Sequence, residues 1–401
     1  MRTIRLFGAI FLLASFLSVN SQAAQKIVTF SPEASMRDGI SGLEKLGCKI
    51  LKHLPLINAV VADFPEKMMD SEIMACPHVC AVEEDRVIKW IEEVPAAMDL
   101  SSVETALDRI KAGEDKGLIP PFPSHPKAEV NPKEIPWGVK RVNASAAWPK
   151  TSGRGVKVGI IDTGVDYNHA DLKANYAGGY NAVDTSKTPL DDNGHGTHVA
   201  GIVGAVLDGA GVAGVAPQVS LYAVKVLTAQ GSGSYSAIID GIQWAVSNNM
   251  NVVNMSLGAP QGSEAMRKAV EAAYKAGVTL VMAAGNDSGP VNYPAKYPQA
   301  IAVSASDSAD KIASFSSRGP EIAVIAPGVA ITSTYMGGGY KALSGTSMAS
   351  PHVAGLAALA VASGARTPAE VRRALTGASV GIGLSAAEQG AGLVDASKLV
   401  R

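Results

Sequence analysis

Two rhythms of hydrophobic and polar residues divide the chain. Between residues 25 and 90 the apolar pieces are short. Residues 26–30, 49–53, 57–64 and 79–83 carry the β-branched runs of strands, whereas 36–46, followed by Gly47, and 67–75 repeat their apolar positions at helical spacing. The order β-α-β-β-α-β predicts a small α+β module of the ferredoxin-like type.

From residue 135 onward the apolar runs lengthen and lose their alternation, at 156–161, 220–227, 252–257, 278–284, 300–305 and 322–326. Helix-like stretches separate several of them: 195–206, 236–247, and 263–276 with Gly277 as its stop. Unalternating strands interleaved with helices predict an α/β fold, a mainly parallel sheet covered on both faces. Sites in such sheets form at strand C-terminal ends, and Asp162, Ser256 to Gly258 and Asn286 each stand where an apolar run ends.

Residues 91–130 fit neither rhythm. Val103, Ala106, Leu107 and Ile110 share one face of a short helix capped by Ser101 or Ser102 and closed by Gly113. Pro120, Pro121, Pro123 and Pro126 then preclude regular structure, so a linker is expected. The resulting division is 1–23, 24–90, 91–130 and 131–401.

Composition narrows the function. The 401 residues, 47% hydrophobic and 18% charged, suffice for one large core and one smaller one. A net charge of −1 gives no electrostatic reason to expect nucleic acid or an anionic membrane. Residues 1–23 combine Arg2 and Arg5 with an apolar run over 6–19 and end in Ser21-Gln-Ala23, a small-x-small cleavage pattern, so a signal peptide and export are expected. That run falls short of the roughly 18 to 20 residues that span a bilayer, and no membrane anchor is expected. Cys48, Cys76 and Cys80 all lie in the N-terminal module. One disulfide with a leftover thiol is possible, and Cys76-Pro-His-Val-Cys80 raises zinc, but three irregularly spaced ligands argue against a tetrahedral site; inert thiols are the favoured reading.

The chemistry centres on Ser344-Gly-Thr-Ser-Met-Ala-Ser-Pro-His-Val-Ala-Gly355. An apolar run at helical spacing follows Ser347, which puts its hydroxyl at a helix N-terminus, where unpaired N–H groups favour a developing negative charge. Pro351 is expected in the first turn, where proline is tolerated. A bare Gly-Thr-Ser is usually a cap or a turn. A nucleophilic serine needs a base, and the base an orienting acid. Asp192-Asn-Gly-His-Gly-Thr-His-Val-Ala-Gly201 offers His195, and Val158-Gly-Ile-Ile-Asp-Thr-Gly-Val-Asp166 offers Asp162 at the end of a buried strand.

These three motifs resemble, residue by residue, those of the subtilisin-like serine proteases, and the likeness continues from residue 135 to the C-terminus. Their order Asp, His, Ser is that of subtilisin, not of chymotrypsin-like enzymes or α/β-hydrolases. The resemblance implies a subtilisin-like three-layer fold and a serine endopeptidase working through Asp162, His195 and Ser347. Ala283-Ala-Gly-Asn286 matches the motif whose Asn stabilises the oxyanion; by composition alone Asn286 is a turn residue after Gly285. The resemblance further implies that Gly231, Ser232 and Gly233, with Ser256, Leu257 and Gly258, pair as edges with an extended peptide through backbone bonds, giving broad specificity. Asn292 stands where many relatives have Gly in the first specificity pocket, which predicts a smaller, more polar pocket.

Asp171 and Asp208, with carbonyls of Val206, Ala210 and Val212, match a structural calcium site of the family, although Lys133 stands where relatives offer Gln. His198, three residues after His195, lacks the Glu of a His-Glu-x-x-His zinc motif and is expected to be structural. The N-terminal module, ending near Val82-Glu-Glu-Asp-Arg86, resembles the family's inhibitory propeptide, with maturation somewhere between about residues 90 and 134. An autoprocessed monomer acting on protein or peptide substrates is expected. Two other readings remain: an aspartic-type protease pairing Asp162 with Asp287, which would leave His195 and Ser347 idle, and a catalytically silent binding scaffold.

Overall fold

The computed structural model describes residues 25–91, 94 and 135–400. The segment 1–23, the Ser101 to Gly113 helix and Lys133 lie outside the described residues.

The N-terminal module has the expected order. Strands β1 (Gln25–Phe30), β2 (Lys49–Leu54), β3 (Ala59–Asp63) and β4 (Val79–Glu84) form an antiparallel sheet in the order β2-β3-β1-β4. Helices Met36–Glu44 and Asp70–Met74 connect its strands. Alternate side chains on a strand face opposite ways. Val28, Phe30, Val60 and Ala62 pack with Leu43 and Ile73 of the module's own helices. Ile27, Ala59 and Val61 instead join Ile238, Ile242 and Val270 of the larger domain. Both sheet faces are buried, which is why Lys26 to Phe30 are buried one after another without the alternation of a half-exposed strand. The third strand begins two residues later than expected: Pro55–Ile57 forms a 3₁₀ turn and Asn58 is left-handed (φ 49), a conformation Asn tolerates better than most residues.

The larger domain is built on a nine-stranded sheet in the order β16-β17-β13-β12-β11-β10-β6-β8-β7. Its members are β6 (Lys157–Asp162), β7 (Tyr176–Asn181), β8 (Ser220–Lys225), β10 (Val252–Met255), β11 (Thr279–Ala283), β12 (Ile301–Ser306), β13 (Ile322–Pro327), β16 (Ser379–Val380) and β17 (Leu393–Val394). Pairing is parallel except between β16 and β17. Val158, Ile160, Val252, Val281 and Val303 pack against Val199, Val203, Val353 and Leu356 of helices His195–Gly204 and Thr346–Ala362. Their neighbours Ile161, Val253, Met282 and Ala302 pack against helices Tyr235–Ser247 and Glu264–Lys275 on the other face. This is the three-layer α/β sandwich the resemblance implied.

Every apolar run of the larger domain is a strand of this sheet. The pattern did not predict β7, whose Tyr-Ala-Gly-Gly-Tyr-Asn reads as a turn, nor the β14 (Ile331–Tyr335) and β15 (Gly339–Leu343) hairpin. From β6 the sheet grows one way through β8 and β7 and the other way through β10 to β13. That reversal opens a crevice at the C-terminal ends of β6 and β10, where α/β sheets bind ligands. No helix among the described residues is long and apolar enough to cross a membrane.

Candidate active site

Asp162 ends β6 and is fully buried. His195 opens the helix His195–Gly204, and its Nδ1 lies 2.8 and 3.0 Å from the two carboxylate oxygens of Asp162. The backbone N–H of Thr163 donates to Asp162 Oδ1 at 2.7 Å. Strand end and helix start approach this closely because residue 196 is glycine: a Cβ there would sit 2.1 Å from the Gly164 carbonyl oxygen.

Ser347 is the second residue of the helix Thr346–Ala362 and is 8% exposed. Pro351 lies inside this helix, in its second turn rather than the first. A proline there leaves the carbonyl four residues back, that of Ser347, without its helical donor. The Ser256 hydroxyl takes the vacated position and donates to Ser347 O at 2.8 Å. Asn254 Nδ2 donates to Ser256 Oγ at 2.9 Å, and Ser350 Oγ donates to Asn254 Oδ1 at 2.8 Å. This buried polar chain fastens the Ser347 helix to the end of β10, and Ser347 Oγ in turn lies 3.3 Å from the Ser256 carbonyl oxygen.

Asn286 follows β11. Its Oδ1 accepts the Thr346 N–H and the Thr346 hydroxyl, both at 2.9 Å. The amide orientation is thereby fixed with Nδ2 as the donor group, beside the N-terminus that carries Ser347. The sequence drew attention to Asn286 and not to Thr346, Asn254 or Ser350. The signal for Thr346 was there in the Gly-Thr-Ser tripeptide; the other two show only in three dimensions.

Residues 153–392 match the subtilase family, Peptidase S8. The chain belongs to this family. It is 41% identical over 365 residues to subtilisin E of Bacillus subtilis, covering 86% of this chain and 84% of that one. Over 231 residues it is 53% identical to subtilisin DY of Bacillus licheniformis, covering 56% of this chain and 84% of that one. With the M-protease of Shouchella clausii it shares 40% over 344 residues, 85% of this chain and 88% of that one. The chain is a serine endopeptidase of the subtilase family. The aspartic-type reading falls with this assignment, and the two carboxylates have separate partners: Asp162 binds His195 and Asp287 binds Asn292.

The two backbone edges of the subtilase are occupied by the chain's own N-terminal region. Strand β5 (Val87–Lys89) pairs antiparallel with β9 (Ser232–Ser234), aligning Ile88 with Gly233. Trp90 N–H then donates to Gly231 O at 2.9 Å, and Gly258 N–H donates to Trp90 O at 3.1 Å. Residues 87–91 thus run between the 231–233 and 256–258 segments, with Leu257 buried beneath. The Trp90 indole stands edge-on to Tyr235 and donates to Gly233 O at 2.9 Å. Behind this tail Glu83 accepts the N–H groups of Glu264 and Ala265, and Asp85 accepts from the Ser236 N–H and hydroxyl. Each carboxylate therefore caps the N-terminus of a helix.

Asn292 is 8% exposed, donates from Nδ2 to Asp287 Oδ2 at 2.7 Å, and fills the space beside Gly258 and Gly285. His198 is fully buried; its Nε2 lies 3.0 Å from Ile331 O and 2.9 Å from Lys341 O, and burial pushes its pKa down to about 3. It is structural, as expected. The three cysteines are free thiols: Cys48 and Cys76 half-buried against the core of the N-terminal module, Cys80 exposed.

At the expected metal loop, Asp171 Oδ2 accepts from Val212 N–H at 2.9 Å and from the Tyr340 hydroxyl at 3.0 Å, and Asp208 Oδ1 accepts from Ala210 N–H at 3.1 Å. Burial, the bond to Asp171 and the charges of Asp171 and Asp208 push the Tyr340 hydroxyl up to about 12. Both carboxylates thus act on one spot. Among the described residues no three His, Cys, Asp or Glu side chains gather to hold a metal, so a cation here needs backbone carbonyls of the 206–212 loop as well. Such all-oxygen donors fit calcium.

Proposed function

We propose that Ser347 attacks the substrate carbonyl with His195 as its base and Asp162 as the orienting acid. The observation that carries this is the His195 Nδ1 contact with both oxygens of Asp162. With Nδ1 carrying the proton given to Asp162, Nε2 is the basic nitrogen. Nε2 takes the Ser347 proton as Oγ bonds to carbon. The oxyanion that forms accepts from Asn286 Nδ2 and from the Ser347 backbone N–H, a donor that a helix N-terminus leaves without an internal acceptor. His195 returns the proton to the departing amine, and the acyl-enzyme is hydrolysed by water through the same relay.

The chain is made as an exported precursor in which 1–23 is a signal peptide and 24–90 a propeptide that inhibits its own peptidase domain. What supports the inhibitory role is the backbone pairing of 87–91 with Gly231, Ser232, Gly233 and Gly258, a substrate-like strand in a substrate-like position. The chain cuts itself between about residues 90 and 134, and the mature enzyme acts outside the cytoplasm as a monomer. Recognition through backbone bonds gives broad specificity, with Asn292 narrowing the pocket before the scissile bond. Calcium held by Asp171, Asp208 and the carbonyls of Val206, Ala210 and Val212 would brace the 206–212 loop; its role is structural.

Intact mass and N-terminal sequencing of exported wild-type and Ser347→Ala chains test the reading. The expected result is a mature species beginning after residue 91 from the wild type and an uncut precursor from the variant. A Ser347→Ala chain that is still an active endopeptidase would overturn it.

A further inference from the structure

A second carboxylate, Asp191, is buried behind the Asp162 and His195 pair, 7% exposed. Its Oδ1 accepts the Thr163 hydroxyl at 2.8 Å and the N–H groups of Asn193 and Gly194 at 3.0 Å each. Its Oδ2 accepts the N–H and hydroxyl of Thr197 at 2.9 and 2.6 Å. The neighbouring Asp192 pairs with Lys225 Nζ instead, at 2.7 Å. Asp191 therefore holds two bodies at once. One is the first turn of the His195 helix, whose unpaired N–H groups and dipole attract an anion. The other is Thr163, whose own N–H donates to Asp162 and whose Oγ1 accepts the Gly196 N–H at 3.0 Å.

We propose that Asp191 is a positioning residue of the catalytic pair: through Thr163 and the first turn of the His195 helix it sets the separation and alignment of Asp162 and His195. The inference rests on the triad reading above and adds a residue that touches neither substrate nor reacting atoms. An amide in its place cannot do the same job, because an Asn turned either way points N–H groups at the donors of Thr197 or at those of Thr163, Asn193 and Gly194.

Four variants and two readouts test it. In the mature enzyme Asp191→Asn lowers kcat on the order of ten- to a hundred-fold while KM stays within about twofold, the signature of misaligned groups rather than weaker binding. Thr163→Val moves kcat the same way, and Thr163→Ser, which keeps the hydroxyl, restores most of it. The second readout needs no self-cleavage: in the full-length Ser347→Ala chain, the low-field proton resonance of the His195 to Asp162 bond shifts upfield when Asp191→Asn is added. A purely structural role would lower Tm and leave this resonance in place. An unmoved resonance, or an unchanged kcat, overturns the proposal whatever happens to Tm. Should Asp191→Asn fail to fold, Thr163→Val leaves the carboxylate its backbone donors and gives the same two readouts. His195→Ala separates the two readings: an active His195→Ala enzyme removes the triad and this inference together, whereas an inactive one beside a normal Asp191→Asn removes only the inference.

Discussion

The Ser256 hydroxyl donates to the Ser347 carbonyl at 2.8 Å, replacing the helical hydrogen bond that Pro351 cannot make. The proline inside the Ser347 helix and the serine that follows β10 therefore act as one joint. The joint fixes the first turn of that helix against the segment that follows β10.

Ser256→Ala should then leave a buried carbonyl unpaired. We expect a stability loss of about 1 to 3 kcal/mol and a several-fold lower kcat. Thermal unfolding and steady-state kinetics check this; unchanged Tm and kcat together would mean that water or a neighbour replaces the hydroxyl at no cost.

Asn286→Ala removes the proposed oxyanion donor and the acceptor for Thr346. A kcat lower by about 10²- to 10³-fold at similar KM is expected, the magnitude known for the corresponding donor in subtilisin of the same family rather than one obtained from this geometry. A variant that lost only KM would assign Asn286 to ground-state binding.

Asn292→Gly empties the space beside Gly258 and Gly285 and releases Asp287. Peptides with Phe or Tyr before the scissile bond should gain about tenfold in kcat/KM relative to those with Ala there. Equal ratios in variant and parent would locate the pocket elsewhere.

Trp90→Ala removes a buried indole, its contact with Tyr235 and its bond to Gly233 O. Loss of such an anchor typically costs about 2 kcal/mol or more, so the variant form of the proposed propeptide should inhibit the mature enzyme at least about tenfold less tightly. Inhibition constants with added propeptide measure this. Unaltered inhibition would shift the weight of binding to the Glu83 and Asp85 helix caps.

Stability should fall in acid before the carboxylates titrate. Burial holds His198 down to about 3 and His352 down to about 4, both below the ordinary 6.5. As pH falls below about 6.5 the unfolded chain takes up protons at these residues and the folded chain does not, so stability decreases from there towards about pH 4. Above about 6.5 both are neutral in either state and contribute no slope. Tm of the Ser347→Ala chain against pH reads this directly, and a Tm flat across that window would contradict it.

The fold class, and the residues proposed to react, could be read from the sequence because both are written locally. Unalternating apolar runs must be strands buried on both faces, and the residues around Asp162, His195 and Ser347 need only their neighbours to be read. Tertiary structure decided what holds those groups in place. Thr163 and Asp191 meet across 28 positions, Asn286 and Thr346 across 60, and Ser256 and Ser347 across 91. A hydroxyl or amide gives no sign in sequence of which distant donor it will satisfy, since burial selects the partner only after the sheet has formed. The same holds for residues 87–91: β5 has a strand's composition, but only the open edges of 231–233 and 256–258, brought together by the sheet, gave it something to pair with.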